Sequence, residues 1–143
     1  MSRLAALLAA LALATGSARA ADQGVDVSRT YRVETGGSTA TLRVGGQGKL
    51  VFFFTPLEPK VHVNQQAPFK ARLEGPAGLQ LAKAELRRAD AVDPKAENPR
   101  FEVPFTATAP GRHEARVSLE FYICSDAWCV RQTKTLAIPV DVK

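Results

Sequence analysis

The chain has 143 residues, of which 45% are hydrophobic, and a formal net charge of +5 at pH 7. Residues 1–20 hold Arg3, Arg19 and no acidic residue, so their removal lowers the formal charge to +3. Such a small excess, spread along the chain, forms no basic stripe of the kind that nucleic-acid binding requires. We therefore expect no nucleic-acid partner.

The N-terminal segment has the organisation of a signal peptide. Arg3 precedes an apolar run over residues 4–14, too short to span a bilayer, and Ala18-Arg19-Ala20 follows. This pattern predicts a signal peptide over residues 1–20 and a mature domain over 21–143, which would be periplasmic or secreted. No later apolar run is long enough to cross a membrane, so we expect no membrane insertion after cleavage.

Short segments of strand character, separated by Gly/Pro turns, follow one another along the mature chain. Residues 79–91 have helical propensity, but Leu79 and Leu81 alternate and both neighbouring segments have strand patterns, so we predict a strand there. About seven short strands predict an all-β fold, an immunoglobulin-like antiparallel β-sandwich. In chain order these seven segments cover residues 38–44, 49–55, 69–73, 79–91, 100–108, 115–123 and 136–142, and residues 25–33 alternate weakly as a further candidate edge strand.

The segment Lys49–Thr55 is apolar on both faces and is therefore expected to lie centrally in its sheet. Gly45–Gly48 before it has the composition of a turn. The residues that we expect to be buried are spread over several strands. They are Val51, Phe53, Leu73, Phe105, Val117, Leu119, Phe121 and Ile138.

Both cysteines and the only tryptophan lie within residues 121–130. Apolar residues alternate with other residues before this stretch, over 115–123, and after it, over 136–142, as in half-buried strands. Two such strands joined by a short polar loop predict a β-hairpin.

The hairpin would bring Cys124 and Cys129 face to face across the loop Ser125–Trp128. Both cysteines fall out of phase with the apolar positions, so both sulfurs are expected to point away from the main core. In an oxidising compartment the two are expected to form a disulfide.

A Cys-x4-Cys hairpin has three interpretations. As a structural staple it closes a short loop, which places its stabilisation near or below about 2–4 kcal/mol. As a metal site it would need His62 and His113 beside the thiolates, and a lone Cys-x4-Cys is a poor zinc signature. As a redox centre it joins directly opposed strand positions, where a disulfide is strained and exchanges readily when exposed.

Three residues around the cysteines are candidates for partner docking. Tyr122 and Trp128 would flank the disulfide as an apolar collar, with the Trp128 ring exposed on the loop. Asp126 lies between them in the loop, where a turn residue is the simpler interpretation than an acid catalyst.

Ile123-Cys124-Ser125-Asp126-Ala127-Trp128-Cys129, followed by Thr133-Lys134-Thr135, resembles a known active-site hairpin. It is similar to that of the N-terminal periplasmic domain of the membrane thiol:disulfide interchange reductases (DsbD type). The strand 100–105 and His62-Val63-Asn64 before Pro68 also resemble that family. The similarity covers about residues 50–143.

The resemblance implies an immunoglobulin-like domain that takes electrons from a thioredoxin-like domain and passes them to periplasmic partners. Cys129 would form the mixed disulfides, and Cys124 would resolve them. A shielding cap loop would correspond to Asp90–Asn98, which we expect to lie over the cysteine end as a partial lid. The chain departs from the family in having one residue fewer between the cysteines and no Phe-Tyr pair in the Asp90–Asn98 loop.

The sequence is therefore consistent with two functions. The first is an exported thiol:disulfide exchange domain with Cys124 and Cys129 as catalytic residues, no cofactor, no metal and thioredoxin-like periplasmic partners acting in trans. The alternative is a secreted immunoglobulin-like binding or structural module with an inert disulfide. Reduction by mild dithiol distinguishes them, because an inert staple resists it.

Overall fold

Two β-sheets packed face to face form the structure, a computed structural model that describes residues 25–143. The predicted signal peptide, residues 1–20, lies outside the described residues. Apart from one 3₁₀ turn at Arg88–Asp90, the regular elements within 25–143 are strands. They are β1 (Tyr31–Glu34), β2 (Thr41–Leu42), β3 (Gln47–Pro56), β4 (His62–Val63), β5 (Lys70–Glu74), β6 (Leu79–Leu81), β7 (Glu85–Leu86), β8 (Arg100–Ala107), β9 (Gly111–Cys124) and β10 (Cys129–Val142).

The first sheet has the strand order β1-β3-β8-β6, and the second has the order β2-β10-β9-β5-β7. All neighbours pair antiparallel except β2, which lies parallel to the end of β10. A further short strand, β4, pairs with β9 beyond the end of β5. The predicted immunoglobulin-like antiparallel β-sandwich is therefore confirmed.

The long β9–β10 hairpin forms the centre of the second sheet, with paired positions running from Cys124–Cys129 to Gly111–Val142. Alternate residues of β9 face the first sheet and are at most 1% exposed, as the sequence pattern predicts. These residues are Ala115, Val117, Leu119, Phe121 and Ile123.

Aromatic side chains fill much of the space between the two sheets. The Phe101 ring stacks between Phe52 and Phe69, with centroid distances of 4.9 and 4.8 Å. Phe54 and Phe121 meet edge to face at 4.8 Å, which links the first sheet to the cysteine-bearing strand. Removal of these rings from water is the main source of stability in such a core.

The central position of β3 and the burial of Val51 are confirmed, but Phe53, which was also expected to be buried, is only half-buried. Leu50, Phe52 and Phe54 face the core, whereas Val51 and Phe53 lie on the outer face. Val51 is fully buried there, but Phe53 is only half-buried, with the Arg100 guanidinium 5.3 Å from its ring centre.

The predicted strand over residues 38–44 is present only as the two residues of β2. The Ser38 hydroxyl donates to the carbonyl of Val51 and accepts from its N–H, at 3.0 and 2.8 Å. Thr39 bonds Lys49 through both its backbone N–H and its side-chain oxygen. These bonds hold the segment as a loop along the edge of β3 beyond the end of β1, where Gly37 lies beside the Val51 side chain and helps to bury it outside the core.

Residues 79–91 form β6, β7 and the 3₁₀ turn, so the strand prediction is right for two short pieces of this segment. A turn lies over residues 43–46, closed by a bond from the Gly46 N–H to the Arg43 carbonyl at 2.9 Å, so it overlaps the predicted Gly45–Gly48 turn only in part, and β3 already begins at Gln47. Within residues 25–143, no helix is long and apolar enough to cross a membrane.

Candidate functional site: the cysteine hairpin

A disulfide joins Cys124, the last residue of β9, to Cys129, the first residue of β10. The two occupy directly opposed positions, with their Cα atoms 4.1 Å apart, which confirms the predicted pairing. The loop between them closes by a bond from the Ser125 N–H to the Trp128 carbonyl at 2.9 Å. The Ala127 N–H also bonds the Ser125 hydroxyl at 3.1 Å, which orders the loop further.

The two sulfur-bearing residues differ sharply in exposure. Neither belongs to the hydrophobic core cluster, as their phase along the strands predicts. However, Cys124 is only 2% exposed, whereas Cys129 is exposed. The site therefore combines one buried cysteine with one that a partner can reach.

Cys124 is buried because β4 lies along the other side of β9, where His62 is its paired residue. Asn64, the residue directly after β4, continues this pairing, because its N–H donates to the Tyr122 carbonyl at 2.9 Å. We refer to residues Lys60–Gln66 as the cover segment.

The side chain of Asn64 contacts both sulfurs. Its Nδ2 atom lies 3.5 Å from Cys124 Sγ and 3.7 Å from Cys129 Sγ. Its Oδ1 atom accepts hydrogen bonds from the N–H groups of Gln66 and Ala67 at 2.8 and 2.7 Å. Of the described side chains, it is the one that hydrogen-bonds the disulfide.

The start of the cover segment is tied to the cysteine loop by an ion pair between Lys60 Nζ and Asp126 Oδ2. Both groups are largely exposed, so this pair contributes little to stability. Lys60 has a φ of 66°, the left-handed region that is costly for residues other than glycine. Its carbonyl bonds His62 Nδ1 at 2.9 Å, which fixes the geometry just before β4.

The Asp90–Asn98 loop packs on the cover segment, through a bond from the Val63 N–H to the Glu97 carbonyl at 3.0 Å and one from Gln65 Nε2 to the Lys95 carbonyl at 2.8 Å. Its expected role as a partial lid over the cysteines stays a prediction. Among residues 25–143, the side chain that hydrogen-bonds the sulfurs is that of Asn64 and not one from this loop. The loop therefore supports the cover segment from behind, because β4 already occupies the side of β9 next to Cys124.

Arg88 joins this loop to the cover segment. Its guanidinium donates to the carbonyls of Val63 and Asn64 at 3.3 and 3.5 Å, and to those of Pro94 and Ala96. Burial lowers the pKa of Arg88 from its ordinary value. Arg88 was not predicted as a site residue, because no local sequence pattern indicates an arginine whose hydrogen-bond partners are carbonyls elsewhere in the chain.

The three candidate docking residues have different surroundings. Trp128 is half-buried and packs against the core, so the expectation of a fully exposed ring is wrong. Its position has the same phase as Val130 and Ile138, which places it on the inner side of the hairpin. Tyr122 is half-buried on the outer face and Asp126 is exposed, and the docking role of all three stays a prediction.

One of the two histidines expected in a metal site, His113, lies far from the cysteines. His113 lies at the far end of β9, where it pairs with Val140 and bonds the Ala109 carbonyl at 2.8 Å. His62 does lie beside Cys124. In the described part of the chain, no group of three or more His, Cys, Asp and Glu residues could hold a metal ion.

A surface depression of about 830 Å³ lies away from the cysteines. It is a shallow groove over β3, β8 and β6, and Gln47, Gln80 and Thr106 are among its lining residues. Its lining has no cysteine, histidine or acidic residue, and the amine of its Lys49 is paired with Glu102 at 3.2 Å.

No protein-family model and no curated protein matches the sequence. Among solved structures, a conjugative transposon lipoprotein from Bacteroides eggerthii is similar at 11% identity and a TM-score of 0.44, over 79% of this chain and 98% of that chain. A conjugate transposon protein from Bacteroides vulgatus is similar at 9% identity and a TM-score of 0.45, over 85% and 91%. The GAE domain of GGA2p from Saccharomyces cerevisiae is similar at 12% identity and a TM-score of 0.45, over 78% and 92%. Similarities at this level assign no function.

Proposed function

We propose that this chain is an exported thiol:disulfide exchange domain that acts on thioredoxin-like partners through Cys124 and Cys129. The observation that carries the proposal is the contrast between the exposed Cys129 and the 2% exposed Cys124. Exchange through a mixed disulfide needs one sulfur that a partner can reach and a second one nearby that stays protected until it resolves the intermediate. The resemblance of the hairpin to the DsbD-type family supports the same assignment.

Each half of the exchange has a defined balance of bonds and electrons. In the reduced protein, the Cys129 thiolate attacks a partner disulfide, forms the mixed disulfide and releases one partner thiolate, which takes a proton from water. The Cys124 thiol then loses its proton to water, and its sulfur attacks Cys129 Sγ. This step forms the Cys124–Cys129 bond and releases the second partner thiolate. The domain is oxidised by two electrons, and the partner disulfide is reduced to a dithiol.

The neighbouring groups suit this chemistry in position. Cys124 and Cys129 are held on paired strands, so the resolving sulfur stays within bonding reach of the mixed disulfide. The fixed backbone of the hairpin makes this second attack effectively intramolecular. Neither cysteine belongs to the core cluster, although Trp128 beside Cys129 packs against it.

The second candidate function is an exported binding or structural module with an inert disulfide. The burial of Cys124 and the contact of Asn64 with both sulfurs favour it, since a shielded disulfide is slow to exchange. In this interpretation the hairpin only holds the end of the sandwich together.

Trapping of mixed disulfides tests the proposal. Cys124→Ser leaves Cys129 free to attack, but the resulting mixed disulfide cannot be resolved. This variant should therefore accumulate a covalent complex with an oxidised thioredoxin-like domain. Cys129→Ser should accumulate little, because its remaining thiol is buried. A complex with neither variant, together with wild-type protein that resists mild dithiol, would establish the inert module. A complex only with Cys129→Ser would exchange the two roles.

A further inference from the structure

Asn64 has a geometry that a turn residue alone does not require. Its Oδ1 atom accepts two backbone N–H bonds, from Gln66 and Ala67. Those N–H groups can bond only an acceptor, which fixes the side chain with its NH2 group on the opposite side. That group has two hydrogens, and two sulfurs lie 3.5 and 3.7 Å away.

A disulfide gains little from such a donor, because bonded sulfur is a weak acceptor. A thiolate carries a full negative charge, and hydrogen bonds to ionised acceptors are roughly twice as strong as neutral ones. The donor therefore favours the reduced, ionised form of the site over the oxidised form. No reorganisation is needed, since the turn at Gln66 and Ala67 already holds the side chain in place.

We propose that Asn64 is the positioning residue that stabilises the Cys129 thiolate in the reduced protein, which makes Cys129 the attacking sulfur. This inference rests on the proposed exchange function and names a residue through which the same site is tuned. Cys124 can receive the second hydrogen of the same amide, but its burial disfavours a charge there.

Several charged groups surround the pair and must be separated from this effect. His62 and Lys60 lie on the cover segment, Glu97 lies behind it, and Asp126 lies in the cysteine loop. On the outer face of the hairpin, Arg131 is paired with Glu120 at 3.1 Å. Lys60 is likewise paired with Asp126. Of these groups His62 is the one paired directly with Cys124 across the strands, so its substitution is part of the test.

The test titrates a single thiol in the full chain. In a Cys124→Ser background, the ultraviolet absorbance of the Cys129 thiolate is followed against pH, together with its rate of alkylation by iodoacetamide. Asn64→Ser keeps a side-chain oxygen for the turn and removes the NH2 donor without adding charge. We expect its titration midpoint to rise by about one pH unit, and its alkylation rate at near-neutral pH to fall about tenfold.

Two control variants separate the donor from other causes. Gln66→Glu adds a carboxylate at an exposed side chain two residues after Asn64. It should shift the titration midpoint of Cys129 by less than about a third of the shift expected for Asn64→Ser. His62→Gln removes the neighbouring imidazole, and adding Asn64→Ser to it should still produce the full shift. A midpoint unchanged by Asn64→Ser would reduce Asn64 to a turn residue and overturn the inference.

The failure of this inference is distinguishable from failure of the proposed function. If wild-type protein exchanges with a thioredoxin-like partner and Asn64→Ser titrates as wild type, only the role of Asn64 is lost. If wild-type protein exchanges with no partner but the midpoint shifts, the donor is real and the exchange function is lost. Thermal unfolding of each variant below the titration midpoint shows whether the turn has survived, because a destroyed turn lowers stability at every pH, whereas a lost thiolate donor lowers it only where Cys129 is ionised.

Discussion

His62 and Cys124 occupy paired positions on β4 and β9, so Cys124 has a strand on each side of it. Cys129 has β9 on one side only, because β2 pairs with β10 only at Asp141 and Val142. Within residues 25–143, the other edge of β10 at Cys129 is therefore open. This difference in strand neighbours is the physical reason why one cysteine is buried and its partner is exposed.

Arg88 is expected to control how often the cover segment opens. Arg88→Ala removes its hydrogen bonds to four carbonyls and should lower the free energy of unfolding by about 2–3 kcal/mol. If about half of that loss falls on local opening, alkylation of reduced Cys124 in a Cys129→Ser background should become about tenfold faster.

The matched control for this prediction is the neighbouring arginine. Arg87 pairs through its side chain with the exposed Glu85, so Arg87→Ala should change stability by less than about 0.5 kcal/mol and leave the alkylation rate unchanged. Equal alkylation rates in the two variants would show that Arg88 does not hold the cover segment closed.

Reduction of the disulfide is expected to weaken the domain but not to unfold it. The bond links residues with a sequence separation of 5, and closing so short a loop contributes about 2 kcal/mol in the chain-entropy model. The melting temperature should fall by roughly 5–10 °C while the far-ultraviolet circular dichroism of the sheets remains. A Cys124→Ala, Cys129→Ala double variant should melt with the reduced protein. Loss of the sheet spectrum on reduction would contradict the prediction.

Phe52 and Phe53 are adjacent in sequence but lie on opposite faces of β3, so alanine substitution should affect them unequally. Phe52 is fully buried and stacks on Phe101, and Phe52→Ala should cost about 3–5 kcal/mol. Phe53 is half-buried beside Arg100, and Phe53→Ala should cost about 1–2 kcal/mol. Denaturant unfolding measures both, and equal costs would argue against this orientation of β3.

The orientation of β3 also shows where sequence patterns stop being informative. Periodicity predicts the hairpin well, because β9 alternates between buried and exposed residues along its length. In β3 the residues from Leu50 to Phe54 are all apolar, so a period of two cannot select the core face. The choice depends on Gly37 and Ser38, which lie against Val51 through contacts that no local pattern contains.

Some features of the candidate site were also predictable from the sequence, and others were not. The opposition of Cys124 and Cys129 follows from the hairpin pattern and is confirmed. The burial of Cys124 depends on β4, a strand of two residues in a proline-containing connection whose partner lies about sixty residues further along the chain. The inward side of Trp128 was predictable from its phase with Ile138, which the loop assignment obscured.

Tyr31 is expected to make stability fall at alkaline pH. It is 3% exposed, its hydroxyl donates to Gln132 Oε1 at 2.9 Å, and burial raises its pKa to about 12. An unfolded tyrosine has a pKa of about 10, so between these values the unfolded chain loses the phenolic proton and the folded chain keeps it. The contribution is therefore complete below about pH 10 and is lost as pH rises through about pH 12. In denaturant titrations, Tyr31→Phe should flatten this loss while costing about 1 kcal/mol at neutral pH through the missing hydrogen bond. Gln132→Met removes the acceptor but leaves the ring buried, so it should keep most of the alkaline loss. An equally steep loss in Tyr31→Phe would assign the effect to other groups.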